Sequence, residues 1–343
     1  MLAASRIWLA GFFLGLNVAA APAQMLEFSA LEGWAEDDHR AALSVFLDSC
    51  DLLDGADWSP ICQLAPQAMK SPEAARSFFE LLFQPVQIGA PPALFTGYYE
   101  PELEGSLFRS KRFAYPIYSP PPELEAGEEW LTRAEIETTG ALDDRGLELA
   151  WLDDPVDVFF LQVQGSGRIR LPSGRVIRVG YAGRNGHGYR SVGQEMIRQG
   201  LREPHEVSAQ DIKDWVRENP EEGAALLRHN SSYVFFRRLR DLPAELGPIG
   251  AMGRSITTMR SLAVDPRHTP LGAPVWLDKE GGQPLQRLMV AQDTGGAIKG
   301  PQRADIFFGT GEKAGIEAGT IRDGGRMVVL LPIELAFAMF PDS

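Results

Sequence analysis

Residues 288–309 read LMVAQDTGGAIKGPQRADIFFG, two apolar runs joined by a glycine-rich turn. Each run alternates like a strand and carries one aspartate, Asp293 in the first and Asp305 in the second. A carboxyl group at the end of an apolar strand is poorly solvated, which raises its pKa and suits it to general acid catalysis. The same pattern also fits two aspartates that only cap turns in a β-domain.

The composition is that of a globular protein long enough for one large domain or two ordinary ones. The chain has 343 residues, of which 44% are hydrophobic and 23% are charged. Its 25 prolines and 35 glycines favour a turn-rich β architecture. The net charge of −13 argues against nucleic acid or an anionic membrane surface as a partner, because both attract basic proteins.

Residues 1–23 have the pattern of an export signal. Arg6 precedes an apolar run, and the sequence Ala21-Pro22-Ala23 is a small-x-small cleavage site. A transmembrane anchor is the alternative, but the run is short for that role. We therefore expect a periplasmic protein whose mature chain begins at Gln24.

The chain contains two cysteines, Cys50 and Cys62. An even pair in an exported protein predicts a disulfide with a structural role. Neither the cysteines nor the five histidines have the spacing of a metal site, so we expect no metal.

The chain changes character near the sequence AlaProPro at residues 90–92. Residues 26–84 carry apolar side chains at helical spacing, whereas from residue 93 aromatic and β-branched runs alternate with glycine and proline. Later helices are predicted at 130–140 and 207–229, the second with Ser208 as its N-cap. Strands are predicted within 157–181, 262–277, 286–292, 304–308 and 326–331. The predicted class is mainly β with helices, α+β.

Several long motifs in a fixed order resemble the lytic murein transglycosylase A family. Three aspartates that characterise the family match Asp265, Asp293 and Asp305. The resemblance covers most of residues 90–335, and its motifs are FTGYYEPELEGS (95–106), FFLQVQGSGRIRLPSG (159–174), YAGRNGHGYRSVGQ (181–194), NSSYVFFR (230–237), RSLAVDPRHTPLGAPVWL (260–277) and DTGGAIKG followed by R-x-DIFFG.

The resemblance implies a double-psi β-barrel domain with a second β-rich domain inserted into it and a groove between the two. Mapped onto this chain, residues 24–104 and 242–343 form the first domain and residues 105–241 form the insert. Many family members are lipoproteins with a cysteine just after the signal. No cysteine occurs there in this chain, so we expect a soluble protein without a lipid anchor.

The resemblance also implies the chemistry. A lytic transglycosylase cleaves the β-1,4 bond between N-acetylmuramic acid and N-acetylglucosamine in peptidoglycan and leaves a 1,6-anhydro end, without a cofactor. Asp305 matches the single catalytic aspartate, which acts first as acid and then as base. Asp293 matches the second aspartate and is expected near the site. Asp265 is interpreted as structural, in a turn before Pro266.

Groove-lining residues are expected in two further motifs, because sugar binding needs aromatic faces and short polar groups. His187 is interpreted as part of the loop architecture, while Lys299 and Arg303 are alternatives that would hold Asp305 ionised. The candidate substrate-binding residues are Thr96, Tyr98, Tyr99, Glu100, Gln162, Gln164, Ser166 and Arg168.

Two other functions fit the same residues. An inverting glycoside hydrolase would use Asp305 as acid and Asp293 as base. A non-catalytic module would bind cell-wall glycan without cleaving it. In every case the expected partner is a peptidoglycan glycan strand, with cell-wall synthesis or division proteins as possible further partners.

Overall fold

A computed structural model describes residues 23–341 of the chain. The predicted export signal, residues 1–23, lies outside the described residues except for Ala23. Within residues 23–341, no helix is long and apolar enough to cross a lipid bilayer.

Three α-helices precede the first long strand, and the others lie between or after the later strands. Three short 3-10 turns, Phe28–Ala30, Trp34–Glu36 and Cys50–Leu52, accompany the first of them. The α-helices are α1 His39–Leu47, α2 Ser59–Ala68, α3 Pro72–Leu82, α4 Arg133–Thr139, α5 Pro155–Gln164, α6 Val192–Arg198, α7 Ala209–Glu218, α8 Pro220–Leu227, α9 Gly311–Gly319 and α10 Ile333–Met339.

The strands form two separate sheets. They are β1 Ala23–Met25, β2 Phe83–Ile88, β3 Leu94–Glu100, β4 Glu102–Ser106, β5 Tyr115–Tyr118, β6 Glu148–Leu152, β7 Ser166–Arg170, β8 Val176–Arg184, β9 Val234–Leu239, β10 Ser261–Val264, β11 Pro274–Lys279, β12 Leu285–Thr294, β13 Arg303–Thr310, β14 Arg322–Asp323 and β15 Gly325–Pro332.

The larger sheet has nine strands in the order β1-β2-β15-β11-β12-β10-β13-β3-β14. Its pairing is mixed, because β10 runs parallel to β12 and antiparallel to β13, and β13 runs parallel to β3. Helices α1 to α3 pack against it through an aromatic cluster that includes Phe46, Phe79 and Phe83. Strands from both ends of the chain therefore share one core.

The smaller sheet has six strands in the order β5-β6-β4-β7-β8-β9. Its core contains Ile169, Val179 and Phe236, and a neighbouring helical core contains Phe159 and Met196. All its strands lie between Glu102 and Leu239, and only Pro101 separates β3 of the larger sheet from β4 of the smaller one. The exact domain boundaries stay a prediction.

The predicted α+β class is confirmed, but two element predictions need correction. Residues 157–164, expected within a run of strands, belong to helix α5, Pro155–Gln164. Asp154 caps this helix, Pro155 occupies its first turn, and Gly165 ends it in the left-handed conformation with φ 78°. Residues 207–229 form two helices, because Pro220 starts α8 directly after α7.

The N-cap and the disulfide agree with the sequence. The Ser208 hydroxyl accepts a hydrogen bond from the Asp211 amide, and the Asp211 carboxylate accepts one from the Ser208 amide. Cys50 and Cys62 form a disulfide that links the Cys50–Leu52 turn to helix α2.

Candidate active site

Four residues lie in one row across the larger sheet. Ala263 on β10 pairs with Asp293 on β12 and with Asp305 on β13, and Asp305 pairs with Thr96 on β3. Residues paired in this way direct their side chains to the same face of a sheet. The two aspartates therefore face the same side, with only a methyl group between them.

The spacing follows from the geometry of the sheet. Neighbouring strands lie about 4.8 Å apart, so the backbones of Asp293 and Asp305 are roughly 10 Å apart across β10. Of the three side chains in this part of the row, that of Ala263 is the smallest, so it adds little bulk between the two carboxyl groups. A larger side chain at this position would separate them.

Asp305 is held through one of its two oxygens. Arg303 forms an ion pair with Oδ1, and the Thr96 hydroxyl donates a hydrogen bond to the same atom. Arg303 also donates from Nη2 to the Thr96 hydroxyl, 2.8 Å away. Among residues 23–341 no hydrogen bond ends on Oδ2 of Asp305, so this oxygen is available to a ligand.

Asp293 is held through both oxygens. The amides of Ala251 and Thr294 donate to Oδ1 at 3.0 and 2.9 Å, and the Tyr98 hydroxyl donates to Oδ2 at 3.1 Å. The residue keeps some exposed surface, but protein surrounds its carboxyl group. This burial raises the pKa of Asp293 to about 6, against the opposing effect of the three hydrogen bonds.

Tyr98, on β3, contacts one residue of β13 and one of β12. Its ring packs against Phe307 with centroids 5.3 Å apart, and its hydroxyl reaches Asp293. Burial and the neighbouring carboxylate raise the pKa of Tyr98 well above its ordinary value, so the hydroxyl keeps its proton and donates it.

Asp265 stabilises the glycine-rich turn that joins β12 to β13. Its buried carboxylate accepts hydrogen bonds from Arg267 Nη2 at 2.6 Å and from the Gly300 amide at 2.9 Å. It also accepts one from the Arg267 amide at 3.2 Å, the contact expected of an Asx turn. The Arg267 guanidinium holds the pKa of Asp265 well below its usual range, so this group stays ionised.

Glu100 and Gln162 need correction as groove-lining residues. Glu100 is fully buried and forms ion pairs with Arg168 at 2.8 Å and Arg178 at 2.9 Å. The Thr310 hydroxyl donates to it as well, at 2.9 Å. Gln162 is buried and accepts a hydrogen bond from Arg133 inside the insert. Neither side chain can reach a ligand without leaving these partners.

The other candidates lie nearer the surface or at the junction of the sheets. Thr96 and Tyr98 belong to the site face, whereas Tyr99 points to the opposite face, toward α9 at Gly315. Gln164 accepts a hydrogen bond from the Tyr99 amide at 3.1 Å. Ser166 is buried at the start of β7, and Arg168 is partly exposed beside Glu100.

The insert faces the glycine-rich turn. A Cβ atom placed on Gly296 would lie 3.5 Å from Nη1 of Arg184 and 3.7 Å from Cβ of Tyr189. These residues belong to the YAGRNGHGYRS motif, in which His187 contacts the Trp130 carbonyl oxygen at 2.6 Å. The turn and this motif therefore lie in contact, and His187 binds the backbone of the insert.

Sequence reasoning missed Ala263 and the backbone donor Ala251. Ala263 lies in the quoted RSLAVDP motif, but only strand register places it between two aspartates. Within the described part of the chain, no group of three or more His, Cys, Asp or Glu side chains could hold a metal ion.

Two family profiles match the chain. Residues 94–237 match the "MltA specific insert domain", and residues 260–331 match the "3D domain". The membrane-bound lytic murein transglycosylase A of Vibrio cholerae is 37% identical over 265 residues, which is 73% of this chain and 69% of that protein. This chain belongs to the MltA family. The Escherichia coli K12 relative of the same name is 40% identical over 69% of this chain and 65% of its own length, just under two thirds.

Solved MltA structures have the same fold. A membrane-bound lytic murein transglycosylase from Agrobacterium tumefaciens matches with a TM-score of 0.82 at 34% identity, over 93% of this chain and 99% of that one. E. coli MltA with bound chitohexaose matches with a TM-score of 0.71 at 30% identity, over 92% and 93%.

Proposed function

We propose that this MltA-family chain is a periplasmic peptidoglycan lytic transglycosylase in which Asp305 is the single catalytic acid and base. The observation that carries the proposal is the Oδ2 atom of Asp305, which has no partner among residues 23–341 and lies in a row of side chains on one sheet face. The names of its relatives support the reaction class, and the chitohexaose bound to E. coli MltA supports a β-1,4-linked glycan as ligand.

The reaction needs two proton transfers through one carboxyl group. Asp305 first gives a proton to the glycosidic oxygen between N-acetylmuramic acid and N-acetylglucosamine, and the bond from that oxygen to C1 breaks. The C6 hydroxyl of the muramyl residue then attacks C1 and returns its proton to Asp305. The product is a 1,6-anhydro end, and no water is consumed.

Arg303 and Thr96 position Asp305 for this cycle. Both bind Oδ1, which leaves the second oxygen to exchange the proton. When the carboxylate is left after the first step, the adjacent guanidinium stabilises its charge.

Asp293 is proposed as a positioning residue. Its three hydrogen bonds connect β12 to Tyr98 and to the segment around Ala251, so it fixes the glycine-rich turn beside Asp305. An inverting hydrolase would use Asp293 to activate water, and its pKa of about 6 is suitable for a base. The occupied oxygens argue against that role.

The Asp305→Asn variant tests the proposal. Asparagine fills the same space but has no acidic proton to give, so muropeptide release should fall by roughly 10⁴-fold or more. The matched control is Asp214→Asn, the same change on the exposed face of α7. Products from purified sacculi would be identified by mass spectrometry.

The outcomes separate the three functions. Anhydro ends that depend on Asp305 support the proposal, and reducing ends would show a hydrolase instead. Sacculus binding by the wild-type protein with no released product would show a non-catalytic module. Near-normal activity in a folded Asp305→Asn protein would refute the single-acid mechanism.

A further inference from the structure

The smaller sheet carries a cavity that the catalytic proposal does not use. Its volume is about 440 Å³, and Glu102 is its one acidic lining residue. Five arginines line it, and we call it the arginine hollow: Arg168, Arg175, Arg178, Arg238 and Arg240. An adjoining hollow of about 370 Å³ shares Arg238 and Arg240 and adds Arg237 and the acidic Asp241.

The floor of the arginine hollow is built by strand register. Glu102 on β4 pairs with Arg168 on β7, Arg168 pairs with Arg178 on β8, and Arg178 pairs with Leu239 on β9. These side chains share one face of the sheet. The Glu100 carboxylate forms ion pairs with Arg168 and Arg178 and so fixes the positions of these two arginines.

Several of the arginines around the two hollows have no ion-pair partner, although Glu102 lines the first hollow and Asp241 the second. Within residues 23–341, the side chains of Arg175, Arg237 and Arg240 have no hydrogen-bond or ion-pair partner. Arg238 donates only to a backbone carbonyl oxygen, that of Leu149. A protein of net charge −13 has many carboxylates available, so the unpaired guanidinium groups of Arg175 and Arg240 at this cavity indicate an external anion.

The position of the arginine hollow identifies the anion. Thr96 lies beside Asp305, and Glu100 follows it four residues later on the same face of β3, about 13 Å away at 3.3 Å per residue. Glu100 contacts Arg168 and Arg178, so the floor of the arginine hollow begins about 13 Å from the Asp305 row. The sugars of peptidoglycan are uncharged along the chain, whereas the peptide attached to each muramic acid ends in carboxylates.

We propose that the arginine hollow binds the peptide carboxylates of peptidoglycan while the glycan lies over the Asp305 row. This inference rests on the proposed function and adds a second recognition element to it. The enzyme would then distinguish peptide-bearing glycan from bare glycan. Guanidinium groups suit the task because each one can bind a carboxylate through two parallel hydrogen bonds.

The test uses two soluble substrates: uncrosslinked glycan strands with their peptides, and the same strands after an amidase has removed the peptides. The variant is Arg175→Gln/Arg240→Gln, which removes two exposed charges and leaves the buried ion pairs intact. We expect KM for peptide-bearing strands to rise about tenfold, equivalent to about 1.4 kcal/mol, with kcat unchanged. KM for bare strands should stay the same.

The control is Arg40→Gln/Arg202→Gln, which makes the same charge change away from the arginine hollow and should leave both KM values unchanged. An equal effect of the arginine-hollow variant on both substrates, or no effect on either, would overturn the inference while the transglycosylase proposal stands. Loss of all product with both substrates in the wild-type protein would refute the proposed function and this inference with it. Inorganic phosphate and the isolated peptide are also tested as competitors of the wild-type protein. If phosphate raises KM for peptide-bearing strands and the peptide does not, the site binds phosphate, which contradicts the carboxylate assignment.

Discussion

At the scale of single residues, the protonation of Asp293 affects the stability of the folded protein. Its carboxyl group is enclosed and has a pKa of about 6, above the value of about 3.9 in an unfolded chain. The folded state therefore holds this proton more tightly than the unfolded state. The contribution of this group to the free energy of unfolding is fully present below about pH 4 and is lost as the pH rises through about 6.

Replacing Asp293 by asparagine should remove this pH dependence. Asparagine can still accept from the Ala251 and Thr294 amides, and it cannot ionise. Each pKa unit is worth about 1.4 kcal/mol, so the variant should gain up to about 3 kcal/mol relative to wild type between pH 4 and pH 7. Thermal melting of both proteins across this range measures the effect. Parallel pH curves, like those expected for Asp214→Asn, would contradict it.

The sequence predicted the two aspartates but not their arrangement. Alternating apolar runs placed Asp293 and Asp305 at strand positions, and both are in strands. Their relation depends on β10, whose sequence lies some thirty residues before Asp293 and shows no sign of its partners. Register between distant strands is set by the packed core, and no local pattern encodes it.

At the scale of elements, helix α5 shows how local signals compete. Its sequence PVDVFFLQVQ is rich in β-branched and aromatic residues, which favours a strand. Asp154 and Pro155 at one end and Gly165 at the other are the start and stop signals of a helix. The buried side chains pack against α7 and the second sheet, and this packing outweighs the residue preference.

The Asp154 side chain both caps α5 and pairs with Arg217, and two substitutions can distinguish these contributions. The Asp154 side chain accepts from the Val156 amide at 2.9 Å and binds Arg217 at 2.7 Å. Asp154→Ala loses both contacts and should lower the free energy of unfolding by about 1–2 kcal/mol. Asp154→Asn keeps the cap and should lose less than half as much. Urea unfolding compares the two, and equal losses would show that the ion pair matters more than the cap.

At the scale of the whole molecule, Glu100 joins the two sheets. Its carboxylate is bound by Arg168 and Arg178 of the smaller sheet, and these arginines also donate to carbonyl oxygens of the returning segment, Leu246 and Pro243. All the chain segments that cross between the sheets therefore meet near one buried group.

Glu100→Gln should weaken this junction strongly. It leaves two arginines with little exposure and no counter-charge, a loss of about 3–5 kcal/mol for a broken buried pair. We expect a lower melting temperature and a larger radius of gyration in small-angle scattering. Glu104→Gln, a half-exposed neighbour of Arg170, serves as control. An unchanged melting temperature would show that the junction does not depend on this ion pair.

The two-sheet arrangement was expected from the family resemblance alone. Periodicity located the strands β10 to β13 and β15, but it could not show that the sheet of residues 261–332 continues in β1, β2 and β3. The proline-rich break at 90–92 lies before β3, so composition marked a different point from the crossing at Pro101.

In the smaller sheet, paired residues form a row that runs through Glu102, Arg168, Arg178 and Leu239. This row has an evolutionary consequence. The smaller sheet begins at one end of this row and finishes at the other, three strand spacings or about 14 Å away. Four or five extended residues would bridge that distance, so the whole segment could be gained or deleted in one genetic event without breaking the larger sheet. A chain that lost it would leave Glu100 without Arg168 and Arg178, so an acidic residue at this position should occur together with the segment.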